Sequence, residues 1–479
     1  MKKAHLPFGP SGIDVDLPDS ADLYAMAAPP TLPDPARAVR AALAEPIDSP
    51  PLRTLARRAL DRKGAGRPAE KPDERSAASS AGRPTACIIV SDNTRPVPYK
   101  GEAGILLPVI DILMAEGFSP ADILVLVATG THRHMREEEL RAMIDPKVYS
   151  LGVPVANHDC KDDANLVHLG RSNRGSEIYI NRRYMEADLK ILTGLVESHF
   201  MAGASGGRKS VCPGIVGEQS TFVFHGAPMM AHPDSRDLNL KGNPCHEESL
   251  EVAKKAGADF IVNVTLDHSF ALTGVFAGNL ETAHIAAVEK VKSYVGIPVK
   301  GEYDIVVTHA GFVGINHYQV AKAGVAALGA LKAGGHLIIA ADNKDSANPV
   351  GSLPYRTTLQ LLKLVGPDAF TKIIMSGDWT FIPEQWQSQM WTKLFKRIPF
   401  NHFHYFAPQL DKRHWADLPG VDGRSYLPAD RQAAPTLADA AAFVEGAVAS
   451  AIASYPESER AKLRICWLAD GPYGIPYRA

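Results

Sequence analysis

Apolar runs of strand length, each followed by a polar turn and then a helical pattern, recur along this chain from Thr85 onward. That alternation restricts the fold more than any other feature. Ala86 to Ser91 reads as a buried strand, Ile105 to Gly117 as a helix that Gly117 ends, Asp122 to Ala128 as a second strand and Met135 to Ile144 as a helix. Strand-like runs return at Glu177 to Ile180, Asp188 to Thr193 and Asp259 to Leu266. The helix ahead of the last strand has Asn243 as N-cap, Pro244 at its first position, and Glu247 and Glu248 in its first turn, a sequence suited to orphan N–H groups and the helix dipole. Strand then helix, repeated, predicts a mainly parallel sheet with helices on both faces.

A second alternating block begins near Gly301. Tyr303 to Thr308 reads as a strand, His317 to Ala333 as a helix closed by Gly334-Gly335, and His336 to Ala341 as the next strand. The pattern continues through Thr358 to Val365, Thr371 to Met375, Glu384 to Lys396 and His402 to Phe406. The helical run Leu437 to Ser454 and a last strand, Leu463 to Leu468, follow. The fold class is therefore α/β, with two domains that are each a mainly parallel sheet flanked by helices. The boundary is expected near Ile297-Pro298: residues 1–297 form the first domain, 298–455 the second, and 456–479 supply a strand that returns to the first. Ahead of these blocks, residues 4–18 read as a hairpin turning at Gly9-Pro10-Ser11-Gly12, Ala36 to Ala44 and Pro51 to Arg62 as helices, and the polar stretch 64–84 as a mobile surface loop.

At 479 residues, 45% of them hydrophobic, the chain can build two full cores. A formal charge of -2 gives no electrostatic case for nucleic acid or an anionic membrane surface. Apolar runs such as Ile123 to Ala128 are too short to span a bilayer, and the Met-Lys-Lys start leads into prolines and acids, not an apolar signal segment. Five cysteines without a CxxC pair read as reduced thiols, with Cys212 a small buried residue, so the expected setting is cytoplasmic.

In open α/β sheets ligands bind beyond the carboxyl ends of the strands. Here those ends deliver Asp92-Asn93-Thr94-Arg95-Pro96, then Thr129-Gly130-Thr131-His132-Arg133, then Gly194 and a glycine-dense segment holding His199, Gly203, Gly206, Gly207, Lys209 and Gly214. In the second domain Asp304 to Thr308 delivers His309, and the next helix carries Gln319 and Lys322. Dense glycines let a backbone turn sharply and approach a ligand. Several histidines converging on one sheet edge point to proton chemistry.

Together these motifs resemble the nickel-dependent lactate racemase family. The match is carried by Ser91-Asp92-Asn93-Thr94-Arg95-Pro96, by Gly130-Thr131-His132-Arg133, by His199 to Gly214 with its Ser205-Gly206-Gly207-Arg208-Lys209 core, by His225, and by Gln319 with Lys322. The resemblance implies a nickel-pincer nucleotide joined covalently to Lys209, with His225 as the remaining nickel ligand and Asp92, Thr94, Gly206 and Gly207 around the cofactor. It implies His132 and His199 as the two acid/base residues. Arg95, Gln319, Lys322 and Trp379 are implied around the substrate, in a cleft between the domains.

The implied reaction is racemisation or epimerisation at C2 of a 2-hydroxy acid, by hydride transfer to and from the cofactor through a 2-keto acid. Partners are then a small 2-hydroxy acid and the cofactor-maturation enzymes; an oligomer is left open. Two readings stay beside it: C2-epimerisation of a longer sugar acid with the same cofactor, and a metal-dependent hydrolase using the same histidines. His402 and His404 fall on one face of a strand; that placement allows a metal-binding pair, and a solvated face is the expectation.

Overall fold

The computed structural model describes residues 1–6, 9, 12–64 and 83–478. Nearly all of the expected loop 64–84 lies outside that set. The chain opens with an antiparallel hairpin, β1 (Lys2–Leu6) and β2 (Ile13–Leu17), followed by a short strand β3 (Asp22–Tyr24). Helices Pro35–Ala44 and Leu52–Gly64 come next, the first capped by Asp34, whose side chain accepts from Arg37 N–H.

The next strands are β4 (Ala86–Ser91), β5 (Ile123–Ala128), β6 (Val155–Asn157), β7 (Leu166–Arg171), β8 (Glu177–Asn181) and β9 (Leu189–Leu195). The two-residue strands β10 (Ser198–His199) and β11 (Gly203–Ala204) pair with each other, and β12 (Phe260–Leu266) and β13 (Leu272–Gly278) follow. Among the described residues these build a six-stranded sheet in the order β13-β12-β9-β4-β5-β6, parallel except for β13 at one edge. Val90, Val125, Ile191 and Val262 from its centre pack with Ile110 and Leu113 of helix Leu106–Glu116, which Gly117 ends in a left-handed conformation. The expected strand at Glu177 to Ile180 exists but pairs with β7 in a separate antiparallel ribbon.

The remaining strands are β14 (Gly296–Val299), β15 (Tyr303–His309), β16 (Leu331–Ala340), β17 (Phe403–Phe406), β18 (Val421–Asp422), β19 (Ile465–Leu468) and β20 (Ile475–Arg478). Of these, β15 to β19 form with β3 a sheet in the order β18-β17-β16-β15-β19-β3 that is parallel throughout, while β14 pairs with β20 separately. Alternate residues of β15 feed two cores. Val306 joins Trp391, Phe403 and Leu359, while Ile305 and Val307 join Phe443, Val444 and Trp467. The run Leu437–Ser454 is long and apolar enough by composition to cross a membrane, but its Phe443, Val444, Ala447 and Val448 are buried in this core.

The chain divides into two compact units: residues 28–225 with 238–292, and residues 1–27 with 226–237 and 293–479. Four expectations are corrected here. The last strand does not return to the first domain; β19 lies between β15 and β3, because its Ile465, Cys466 and Trp467 match β15 in register. For the same reason residues 1–27 belong with the second block. The helix expected to run to Ala333 ends at Ala326, and β16 begins at Leu331, paired with Tyr303; Gly334 at φ +75° bends the strand without ending it. His404 is not on a solvated face: a parallel strand is covered on both sides, and this ring is buried between His336 Nδ1 at 2.9 Å and Tyr426 Oη at 2.6 Å.

Candidate functional site

Nine of the expected residues sit in the unit built on β4, β5 and β9, all at or just beyond the carboxyl ends of those strands or in the segments that follow. After β4, Asp92 is buried and its carboxylate is fully engaged. One oxygen accepts from Thr94 Oγ1 at 2.5 Å and Thr94 N–H at 3.2 Å; the other lies 2.7 Å from His132 Nδ1. Burial acts to raise the Asp92 pKa, yet the hydrogen bond and charge of His132, with Thr94 and Arg95, hold it below the ordinary value. His132 stands after β5 on a turn that its N–H closes onto Thr129 O at 2.9 Å, and most of its ring is solvent-accessible. The Asp92 carboxylate thus fixes the ring by Nδ1 and leaves Nε2 outward.

After β9 the chain makes the tight β10–β11 hairpin. The N–H groups of Met201 and Ala202 donate to His199 Nδ1 at 3.3 and 3.2 Å, so a neutral His199 carries its proton on Nε2. That Nε2 is 3.0 Å from Lys209 Nζ. Lys209 lies on the single turn Gly207–Ser210, with its ammonium end 5.4 Å from the Phe224 ring centre. Burial first, then the charges of Arg95 and Arg208, push its pKa from 10.5 down to about 7. His225 ends the short helix Thr221–Phe224, donates its N–H to Thr221 O and meets the Phe224 ring edge-on at 4.7 Å. Burial, helped by Lys209, pushes its pKa down to about 3, so the imidazole is neutral at neutral pH.

The glycines expected around a cofactor have a reason within the fold itself. Gly206 and Gly207 have φ of +73° and +52°. A Cβ on Gly206 would meet Val196 Cγ2 at 2.7 Å, and one on Gly207 would meet the His284 ring at 2.7 Å. The turn is also pinned by Asn263, whose Oδ1 accepts from Gly207 N–H at 3.0 Å.

Arg95 extends over this region, its Nε 3.2 Å from Glu197 Oε1 and its Nη1 donating to Thr94 O at 3.3 Å. The remaining candidates belong to the other unit. Gln319 and Lys322 are one turn apart on helix His317–Ala326, where Gln319 Oε1 is buried without a hydrogen-bond partner among the described residues. Trp379 packs partly buried against the core there and donates Nε1–H to Gln385 Oε1 at 2.9 Å. The roles expected for these three rest on the resemblance.

Two residues went unread. Arg208 is wholly buried and donates to Ala202 O at 2.8 Å and Ala204 O at 2.9 Å, with His284 Nε2 2.8 Å from its Nη1. It therefore ties the hairpin to the lysine-bearing turn. Glu197 holds Arg95. Both had a signal: Arg208 precedes Lys209, and Glu197 lies at a strand's carboxyl end, where the ligand rule already directed attention.

Residues 68–237 match the model of the lactate racemase N-terminal domain. The lactate racemase of Thermoanaerobacterium thermosaccharolyticum is 34% identical over 323 residues, 67% of this chain and 72% of that protein. The lactate racemase of Lactiplantibacillus plantarum is 33% identical over 332 residues, 69% of this chain and 75% of that protein. The structure of the T. thermosaccharolyticum lactate racemase apoprotein superposes with a TM-score of 0.79 at 27% identity, covering 99% of this chain and 100% of that one. A Thermotoga maritima protein shares the fold alone, at TM-score 0.53 and 15% identity over 89% of this chain. The chain belongs to the lactate racemase family, and it is an isomerase of the racemase type.

Proposed function

We propose that this chain inverts C2 of a 2-hydroxy acid, lactate first among them, using a nickel-pincer nucleotide attached through Lys209. The observation that carries the reading is two histidines and one amine within a single unit: His199 Nε2 lies 3.0 Å from Lys209 Nζ, and Asp92 orients His132. Two relatives that are lactate racemases support lactate as the substrate.

The residues suit such a group. An amine with its pKa brought down to about 7 has a substantial uncharged fraction at neutral pH for bond formation, and a neutral His225 is the form that ligates nickel. Lys209 would carry the tether and His225 the metal. When bound, the group supplies an acceptor and donor of hydride for C2.

The chain's own part is binding and proton transfer. The Arg95 guanidinium offers planar N–H donors to the substrate carboxylate. Each enantiomer presents its hydroxyl on a different side, so inversion needs a base for either, and histidine titrates near neutrality. His199 exchanges its proton at Nε2, because Nδ1 is occupied by two backbone N–H groups. His132 likewise works through Nε2, and Asp92 stabilises the imidazolium formed as it takes the hydroxyl proton.

Intact and peptide mass spectrometry, on protein produced with the cofactor-maturation enzymes, tests this together with chiral separation of lactate. The expected result is added mass on the Lys209 peptide and interconversion of both enantiomers. Racemisation by protein with Lys209 unmodified overturns the tether, and activity restored by zinc alone favours the hydrolase.

A further inference from the structure

Glu197 follows β9, and its backbone is fixed on both sides. Its N–H donates to Ser205 Oγ and its carbonyl accepts from Ser205 N–H, each over 3.0 Å. Ser205 Oγ in turn donates to Leu195 O at 2.7 Å. The residue is thus locked to the first turn of the glycine-rich segment, two positions before His199. From there its carboxylate reaches Arg95 Nε at 3.2 Å, with side chains 39% and 28% exposed. Thr94 O takes an N–H from Arg95 Nη1. A guanidinium has five N–H donors, so Arg95 still has some to offer an incoming anion.

We propose that Glu197 is a specificity-determining residue, whose carboxylate shares Arg95 with the substrate carboxylate so that the site accepts monoanionic 2-hydroxy acids and disfavours dianionic ones. The inference rests on the reading of Arg95 as the carboxylate-binding residue. Its physical basis is charge. An arginine already paired brings no net positive charge, so an arriving carboxylate gains directional hydrogen bonds while facing the negative charge of Glu197. A substrate with a second carboxylate meets that repulsion twice. Partial exposure screens the effect and keeps it moderate.

Glu197→Gln keeps the shape and an amide oxygen for Arg95 Nε while removing the charge; Glu197→Ala removes both. Calorimetric titration of lactate and malate into protein lacking the nucleotide is one arm. Compared with the unsubstituted chain, Glu197→Gln is expected to bind lactate about threefold to tenfold more tightly and malate by a larger factor. The gain is expected to vanish when Arg95→Ala is added, the signature of a coupled pair. In the loaded enzyme the same substitution lowers KM for lactate by more than it changes kcat, and lowers the inhibition constant of malate further. Unchanged or weaker affinity, or a gain that persists without Arg95, overturns the proposal. So does a rise in KM shared equally by the Gln and Ala variants, which marks a purely structural role. If the loaded protein racemises no 2-hydroxy acid while the Arg95-dependent gain is still measured, the proposed function fails and the role of Glu197 stands.

Discussion

Lys209 sits where a charged amine is costly, and the sign of that cost gives a test free of any cofactor. Its folded pKa of about 7 is below its ordinary 10.5, so between those values the unfolded chain binds more protons and stability rises with pH. Lys209→Met removes the penalty: in the protein without nucleotide it is expected to raise Tm by roughly 2–4 °C at pH 7. The gain should shrink as the pH approaches 10.5, followed by calorimetry across that range. Asp92 behaves oppositely. Its pKa is depressed from 3.8, so its contribution is present at neutral pH and fades only as the pH falls through the lower folded value. Asp92→Asn frees His132 to take the wrong tautomer, and kcat in steady-state assays should fall by about tenfold or more. At this scale the histidines and the lysine were legible because their residue types announce proton and nucleophile chemistry. The work of Asp92 on His132 was not, since forty positions separate them and only the adjacency of β4 and β5 unites them.

The glycine-dense segment is the element on which these side chains depend, and Gly207 within it tolerates less than Gly152, which lies outside it ahead of β6. Gly152 and Gly207 both have positive φ, but a Cβ on Gly152 meets nothing within 4 Å while one on Gly207 runs into His284. Gly152→Ala should therefore cost only backbone strain, about 1 kcal/mol. Gly207→Ala adds a clash with a buried ring and should cost about 3 kcal/mol or more, read from denaturant melts of the two variants side by side. Among the described residues, sequence periodicity located eight of the twelve strands of the two main sheets, since a buried parallel strand is an unbroken apolar run, but it passed over the short β3, β6 and β18. It misplaced the start of β16, where Leu331 is buried but the next three residues are exposed, a pattern that mimics the end of a helix. It also missed β13, an edge strand interrupted by glycines at 274 and 278.

On the scale of the whole molecule, neither unit is one continuous stretch. The all-parallel sheet takes β3 from residues 22–24 and β19 from residues 465–468, and those two strands are neighbours. Ending the chain at Arg460 deletes β19 from between β15 and β3, together with β20. That truncation should abolish the near-ultraviolet circular dichroism of Trp391, whose core also holds Cys466 and Leu468 of β19, and leave the chain aggregation-prone. Sequence alone assigned the last strand to the wrong domain because a strand's composition does not encode its neighbours; register does. The β3–β19 pairing also has a consequence for synthesis. The unit that carries Lys209 and both histidines is complete once residue 292 has left the ribosome, so it can fold while the rest is still being made. The other unit must hold its opening strand in waiting for some 440 residues, until β19 emerges beside it. A nascent chain arrested near residue 330 should therefore already protect the segment around Lys209 from protease while leaving residues 1–27 open to cleavage.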